Sequence, residues 1–360
     1  MKGILFIASF LFVQLLNAQV QDSITEQDFM KKLDSIGAID STANAQMKYN
    51  LGVEQMNENN FSEAISLFDS AITYNHNFIL AHFNKGLCHF KLENFDASKS
   101  IFARLLQKDS SFHLAYFQLA EIYKKQRFNS MAIENYSKAI FIHNQDYKYF
   151  YSRGNIHFQE GNYLEAKKDF TATIDLQKDY AYAYNDRGSA HLKLGDIDLA
   201  IKDFHKAVEF NPMLAFSFNN LGTAYREIKK YNESIRAYNE AIKINPDYYV
   251  ALNNRGMSKF QKEDYASAIN DFSRCLKLNP NYSYALNNTA SCYVGLEKWE
   301  KAISFANQAI EINPNYTYAF YNRAIAKEML RDLDGACSDW KKAHELGLDA
   351  ASTYFDSTCK

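Results

Sequence analysis

The sequence predicts an all-α fold built as an array of repeated helix pairs. The first observation is a fixed period, because the dipeptide Asn-Pro recurs every 34 residues, at Asn211, Asn245, Asn279 and Asn313. A period of this length is typical of a stacked array of one supersecondary unit. The second observation is composition, since only 4 prolines and 13 glycines in 360 residues leave helices largely uninterrupted.

The period extends through most of the chain without an insertion. A small residue of the predicted second helix recurs as Ala64, Ser98, Ala132, Ala166, Ala200, Ser234, Ala268, Ala302 and Ala336. A second small column lies twelve residues earlier, as Gly52, Gly86, Ala120, Gly154, Gly188, Gly222, Gly256, Ala290 and Ala324. Two closely packed antiparallel helices need such columns, because larger side chains would overpack the pair at a cost of about 1–3 kcal/mol. We place nine repeats at 45–78, 79–112, 113–146, 147–180, 181–214, 215–248, 249–282, 283–316 and 317–350.

Repeat six, residues 215–248, shows how one unit is built. Apolar residues at helical spacing predict a first helix over 215–228, and Ile235, Tyr238, Ala241 and Ile242 form the apolar stripe of a second helix. Residues 229–232 form the turn, and Asn232 is the expected N-cap of the second helix. Pro246 ends that helix, because proline cannot continue a helix.

These features resemble the tetratricopeptide repeat family over residues 45–350. The family pattern is a bulky residue at position 4 of the repeat, Leu-Gly or Leu-Ala at 7–8, Tyr at 11, Ala at 20, an aromatic residue at 24, Ala at 27 and Pro at 32. Repeat six has Phe218, Leu221, Gly222, Tyr225, Ser234, Tyr238, Ala241 and Pro246 there, whereas repeats one to four and nine lack the proline. The resemblance implies a right-handed superhelical solenoid whose first helices line a concave groove.

The N-terminal residues predict a cleaved secretory signal peptide over 1–18. Lys2 gives a positive start, an apolar run extends from Ile4 to Leu16, and the small Ala18 precedes the expected cleavage site. The run is shorter than the roughly 20 residues that span a membrane. With no cysteine near that site for lipid attachment and no other spanning run, we expect a periplasmic or secreted protein without a transmembrane segment.

Two further segments flank the repeats. Residues 19–44 are expected to form a tether or a capping segment for the first repeat. Residues 351–360 are expected to form a C-terminal cap, because the open face of a terminal repeat needs a polar cover.

Charge and motifs argue against nucleic acid binding and catalysis. The formal net charge is −2, and no basic stripe is present to follow a phosphate backbone. No Gly-rich phosphate loop, H-E-x-x-H or Cys-x-x-Cys motif occurs, and the acidic residues fall mostly on solvated faces, so we expect no enzyme, cofactor or metal. His89, His157 and His191 stand at position 11, a packing position of the family. A metal site at His157 and His191 is disfavoured, because no cysteine or acidic column converges on them.

The five cysteines divide into two groups. Cys88, Cys275 and Cys292 stand at helical positions where buried small residues are the default. Cys337 and Cys359 lie near the C-terminus, and a disulfide between them would pin the cap if the tail folds back as a helix. An exported location permits such a bond.

The groove is the expected functional surface, and in this family positions 2, 5, 6, 9, 12 and 13 of each first helix face it. Position 6 holds Asn50, Asn84, Asn220, Asn254, Asn288 and Asn322. This column resembles the asparagine ladder of O-linked N-acetylglucosamine transferase, where asparagines hold the backbone of an extended peptide. An amide both donates and accepts, so it can pair with any peptide unit. Gln118, Ser152 and Asp186 interrupt the column, and a purely structural origin of the asparagines stays open.

Position 5 adds a second set of expected groove residues. It is aromatic in the first four repeats, as Tyr49, Phe83, Phe117 and Tyr151, and Asn in the next four. Packing between repeats is the alternative role for each ring.

We therefore expect an exported scaffold that binds an extended peptide or partner segment in its groove. The alternative is an envelope module associated with glycan or peptidoglycan, because aromatic and amide side chains also suit sugars. The clamp by which family members bind chaperone C-termini is disfavoured, because no repeat has Lys at position 5. The partner's identity and the oligomeric state stay open.

Overall fold

The computed structural model describes residues 26–359, and each regular element in this range is an α-helix. The chain divides into two compact units, one up to His143 and the other from Asn144 onwards. The expected signal peptide and the start of segment 19–44 lie outside the described residues.

The first unit contains six described helices, which alternate as first and second helices of a pair. They are α1 (Glu26–Asn57), α2 (Phe61–Tyr74), α3 (Ile79–Lys91), α4 (Phe95–Lys108), α5 (His113–Lys125) and α6 (Asn129–Ile142). Helix α1 has 32 residues, so the described part of segment 19–44 continues directly into the first helix of repeat one.

The second unit contains six helix pairs and one final helix. Its first four pairs are α7 (Tyr147–Gln159), α8 (Tyr163–Leu176), α9 (Ala181–Leu194), α10 (Ile197–Phe210), α11 (Ala215–Glu227), α12 (Tyr231–Ile244), α13 (Tyr249–Phe260) and α14 (Tyr265–Leu278). The remaining helices are α15 (Ser283–Gly295), α16 (Trp299–Ile312), α17 (Thr317–Met329), α18 (Leu333–Glu345) and α19 (Asp349–Thr358). The predicted all-α array of repeated helix pairs is confirmed.

In the six pairs whose first helix has glycine at position 8, an aromatic ring of the second helix lies on the backbone of the first. A Cβ atom added at Gly222 would stand 2.7 Å from Cε1 of Tyr238, and one added at Gly256 would stand 2.6 Å from Cε1 of Phe272. Both rings are fully buried. Glycine therefore lets the ring reach the helix backbone, which explains why position 8 is small.

The turn inside each pair holds position 15 in the left-handed region, and this column comprises Asn59, Glu93, Arg127, Gly161, Gly195, Lys229, Glu263, Glu297 and Arg331. At Lys229 the φ angle is 59°. The tight turn lets α12 begin at Tyr231, with Lys230 as N-cap and no side-chain cap. The expected N-cap role of Asn232 is wrong, because this residue lies within the first helical turn, where it accepts a hydrogen bond from Lys262 Nζ at 2.7 Å.

The packing of successive repeats places the first helices on the inner side of each unit. In the second unit α9, α11, α13, α15 and α17 contact one another in sequence, and in the first unit α1, α3 and α5 do so. Successive second helices make no comparable contact within the described residues. A stack that is closer on one side than on the other curves towards the closer side, so the first helices line a concave face.

The array ends in the short helix α19, which packs on α18. Ala351 is fully buried, and the ring of Tyr354 stacks on Trp340 with centroids 4.8 Å apart. Cys337 on α18 and Cys359 beyond α19 are joined by a disulfide with their Cα atoms 5.6 Å apart. The tail thus covers the aromatic end of the last repeat.

Titration of thiols tests this arrangement of cysteines. In the denatured, unreduced protein we expect three reactive thiols, from Cys88, Cys275 and Cys292. In the native protein these three should react slowly, because burial raises the pKa of Cys88 to about 11 and those of Cys275 and Cys292 to about 12.

The Cys359→Ser variant serves as the control for this titration. It should show four thiols on denaturation and lower the free energy of unfolding by about 3 kcal/mol, since the bond closes a loop with a sequence separation of 22 residues. Five thiols in the denatured, unreduced wild type would contradict the disulfide.

Candidate functional site

The asparagines at positions 5 and 6 form a hydrogen-bonded row along the inner helices of the second unit. We call this row the amide ladder, and it consists of Asn185, Asn219, Asn253 and Asn287 at position 5 with Asn220, Asn254, Asn288 and Asn322 at position 6. Each position-6 Nδ2 donates to the position-5 Oδ1 of the preceding repeat. The four distances are 3.1 Å for Asn220 to Asn185, 3.0 Å for Asn254 to Asn219, 2.9 Å for Asn288 to Asn253 and 2.8 Å for Asn322 to Asn287.

The amide ladder has a structural role. Its position-5 amides are all buried, and a buried carbonyl oxygen without a partner costs free energy. The next repeat supplies that partner, so each position-6 amide joins two repeats. Folding therefore accounts for one donor of each position-6 asparagine, an origin that the sequence alone left open.

Three of the position-6 asparagines keep a donor that the ladder does not use. An amide has two N–H groups, and within the described residues Asn220, Asn254 and Asn288 each donate one of them. Their side chains are also partly exposed. Asn322 differs, because it is only 8% exposed and its Nδ2 donates both to Asn287 and to Ser291 Oγ, at 2.8 Å each.

The predicted groove asparagines of the first unit are placed differently. Asn50 is exposed, and its Oδ1 accepts from Gln46 Nε2 at 2.8 Å. Asn84 Nδ2 donates to the hydroxyl of Tyr49 at 3.1 Å. This second contact joins position 6 to position 5 of the preceding repeat, with a phenol replacing the amide as acceptor.

The four predicted position-5 rings pack within their own helix pairs. Each lies against the position-24 ring of its repeat, with centroids 5.8 Å apart for Tyr49 and Phe68, 5.6 Å for Phe83 and Phe102, 5.7 Å for Phe117 and Tyr136, and 5.9 Å for Tyr151 and Phe170. Phe83 is only 8% exposed, so it offers little surface to a ligand. The other three are partly buried.

Tyrosines at position 2 present more surface on the inner face of the second unit. Tyr182 is 42% exposed, and Tyr284 and Tyr318 are each 56% exposed. The ring of Tyr284 lies 5.4 Å from that of Tyr282 and 5.3 Å from that of Tyr316, so neighbouring rings hold it in place. The amide ladder thus shares the inner helices with exposed aromatic rings.

Four buried Arg–Asp pairs were not anticipated from the sequence. In each, an arginine at position 7 donates through Nε and Nη2 to an aspartate at position 23, and the pairs are Arg153–Asp169, Arg187–Asp203, Arg255–Asp271 and Arg323–Asp339. All four carboxylates are buried, so these aspartates are exceptions to the mostly solvated location expected of the acidic residues. The sequence did contain a signal, because Arg stands at position 7 in the same four repeats that have Asp at position 23.

One of these carboxylates, Asp203, lies near His191, a histidine for which no acidic neighbour was expected. Nδ1 of His191 lies 3.1 Å from Asp196 Oδ2, and its Nε2 lies 3.9 Å from Asp203 Oδ2. Acidic residues therefore do converge on this histidine, although Arg187 already holds Asp203. Within residues 26–359, no group of three or more His, Cys, Asp and Glu side chains is arranged to hold a metal ion.

None of the helices that the structure describes combines the length and apolar character needed to cross a bilayer.

The amide ladder predicts a cost for removing one acceptor. The Asn219→Ala variant would leave Nδ2 of Asn254 without its partner, and we expect the free energy of unfolding to fall by about 1–3 kcal/mol. Denaturation by guanidinium, followed by circular dichroism, measures this change. Asn315→Ala removes an exposed amide and should stay within about 0.5 kcal/mol of wild type. Equal stability of the two variants would contradict a stabilising ladder.

Comparison with known proteins identifies the repeat. Models of the tetratricopeptide repeat match residues 181–214, 215–248 and 249–282, residues 49–111, and residues 147–180 and 283–316. The Hsp70-Hsp90 organising protein of Plasmodium falciparum is 26% identical over 89 residues, which are 25% of this chain but only 16% of that protein.

Two solved structures share the architecture. A tetratricopeptide repeat protein from Parabacteroides merdae is 15% identical with a TM-score of 0.57, over 69% of this chain and 99% of that one. Pseudomonas aeruginosa pilF is 19% identical with a TM-score of 0.53, over 59% of this chain and 96% of that one. At these identities the structures show the fold alone. The family matches together cover more than half of the chain and coincide with its helix pairs, and the protein belongs to the tetratricopeptide repeat family.

Proposed function

We propose that this protein is an exported scaffold that binds an extended peptide segment of a partner along the inner helices of its second unit. Tetratricopeptide repeats mediate protein–protein interactions, and arrays of repeats form concave surfaces suited to extended ligands. The observation that carries the proposal is the row of partly exposed amides of Asn220, Asn254 and Asn288, each with one donor beyond its ladder bond.

The spacing of this row suits a peptide in extended conformation. Packed helices lie roughly 8–10 Å apart, and an extended chain rises about 3.3 Å per residue. Amides on successive first helices would therefore meet about every third residue of the peptide. An amide that donates to a backbone carbonyl reads no side chain, so these contacts supply affinity without sequence preference.

The similarity to the Hsp70-Hsp90 organising protein does not extend to the chaperone clamp. That clamp needs Lys at position 5, where this chain has Tyr, Phe or Asn. A short match within a large relative therefore supports peptide binding in general, and we do not propose a chaperone terminus as the ligand.

A pair of variants separates ligand contact from structural effect. Asn254→Ala and Asn219→Ala both break the bond between Asn254 Nδ2 and Asn219 Oδ1, but only the first removes a partly exposed amide, because Asn219 is buried. For a 12-residue peptide selected from a random library by the wild type, we expect Asn254→Ala to weaken binding about five- to tenfold. Asn219→Ala should weaken it less than twofold in the same fluorescence anisotropy assay.

Chemistry on the peptide provides an independent check. Esters replacing backbone amides reduce the acceptor strength of the peptide carbonyls. Three versions of the peptide would carry esters at every third residue, each version offset by one residue from the last. We expect only the version whose esters meet the amide ladder to bind more weakly. Equal effects of the two protein variants, together with indifference to these esters, would refute backbone recognition by the amide ladder.

Export is the second part of the proposal, and it rests on the signal-like residues 1–18. Expressed with its native N-terminus in a bacterial host, the protein should be recovered outside the cytoplasm with Gln19 as its first residue. N-terminal sequencing of the fractionated protein measures this. Recovery of an uncleaved chain in the cytoplasm would refute export.

The exposed rings of Tyr182, Tyr284 and Tyr318 favour a second candidate, an envelope glycan-binding module, because sugar rings stack on flat aromatic faces. Soluble peptidoglycan fragments discriminate between the two functions. A glycan module would bind them and lose binding in Tyr284→Ala, whereas a peptide scaffold would not retain them.

A further inference from the structure

The amide ladder begins at a carboxylate. Asp186 occupies position 6 in repeat five, where the next four repeats have asparagine. Its Oδ1 accepts from Asn185 Nδ2 at 2.9 Å, and its Oδ2 accepts from the hydroxyl of Tyr151 at 2.7 Å. Because every position-6 amide donates towards the preceding repeat, the ladder hydrogens run in one direction and end at Asp186.

No ion pair among the described residues includes the carboxylate of Asp186. Its hydrogen-bond partners are Tyr151 and Asn185, both neutral. The neighbouring Arg187 instead holds Asp203, with Nη2 2.7 Å from Oδ1. The four aspartates buried at position 23 are each paired with an arginine, so this chain elsewhere neutralises its buried carboxylates.

Desolvation acts on this unpaired carboxylate. Burial raises the pKa of Asp186 above its usual value, although the hydrogen bonds from Tyr151 and Asn185 oppose that rise. A carboxylate shielded from water without a counter-ion gains more than an exposed one from an arriving positive charge.

Tyr151, which donates to this carboxylate, belongs to a cluster of aromatic rings. The Tyr180 ring lies 5.1 Å from those of Tyr147 and Tyr151 and 5.7 Å from that of Tyr182. Tyr182 is 42% exposed, and the centroid of its ring lies 6.0 Å from that of Phe216. Faces of such rings attract lysine and arginine cations, and the attraction is stronger where water is partly excluded.

We propose that Asp186 with Tyr151, Tyr180 and Tyr182 forms a subsite that binds a lysine or arginine side chain of the peptide in the groove. The inference rests on the proposed peptide-binding function and adds a determinant of specificity to it. Backbone contacts from the amide ladder are the same in every register of the peptide. One cation seated at the first rung would select a single register.

Folding alone does not require the charge at position 186. In the first unit, Asn84 donates to the hydroxyl of Tyr49, which is the same pairing of position 6 with position 5 of the preceding repeat. An asparagine at 186 can therefore donate to the hydroxyl of Tyr151 and accept from Asn185. The Asp186→Asn variant should fold with at least wild-type stability, so it isolates the charge.

The test uses pools of 12-residue peptides with one fixed central residue, either Lys, Arg, Gln or norleucine, and with Lys, Arg and His excluded elsewhere. We expect wild type to bind the Lys and Arg pools about tenfold more tightly than the Gln and norleucine pools, as a charged hydrogen bond would give. Asp186→Asn should bind all four pools equally. Asp175→Asn removes the same charge at an exposed site paired with Lys178, and it should keep the preference.

A second variant tests the rings. Tyr182→Leu keeps an apolar side chain but removes the aromatic face, and it should reduce the preference for Lys and Arg about two- to fivefold. Equal binding of all pools by wild type would refute the subsite and leave peptide binding standing. An undiminished preference in Asp186→Asn would refute it as well. Failure of every pool to bind would refute both the subsite and the peptide groove.

Discussion

The contact on which most helix pairs of the molecule depend is the aromatic ring of the second helix lying against the small residue of the first. Where that residue is glycine, as at Gly222 and Gly256, the ring comes within 2.7 Å and 2.6 Å of where a Cβ atom would stand. This contact sets the separation and angle of the two helices. Because the pair is the building block, any fixed geometry within it repeats along the stack, and side chains at one position fall into rows. The amide ladder and the exposed tyrosines are both such rows.

The repetition of side chains in rows also explains which features of the structure could be predicted from the sequence. The small columns are visible in the sequence because each repeat buries them in the same way. The Arg–Asp pairs were missed because they join two helices and occur in four repeats only, so neither column is constant. The start of α12 was not predicted correctly, because Lys229 adopts the left-handed backbone conformation that is normally expected of glycine. The bond from Asn220 to Asn185 was not predicted, because the position of a residue in its repeat identifies the face of the helix but not the side chain it meets in the preceding repeat.

The fold and the proposed peptide contacts use the same side chains of the inner helices. Asn254 uses one amide hydrogen to join two repeats, whereas Asn322 donates to both Asn287 and Ser291. The donors left for the proposed peptide contacts are therefore not uniform along the amide ladder, although the column looks uniform in sequence. Asp186 departs furthest from the pattern, because it places a carboxylate where the next four repeats have an amide.

The final helix determines more than the end of the chain. Trp340 lies on the last second helix, α18, and Tyr354 of α19 covers it. A repeat whose stacking face is open can accept another copy of the same module, including one from a second molecule. The tail of this chain covers that face of α18 and is tied to the same helix through Cys337 and Cys359. Because the tie is a disulfide, the hold of the tail on the last repeat is linked to the redox state of its surroundings.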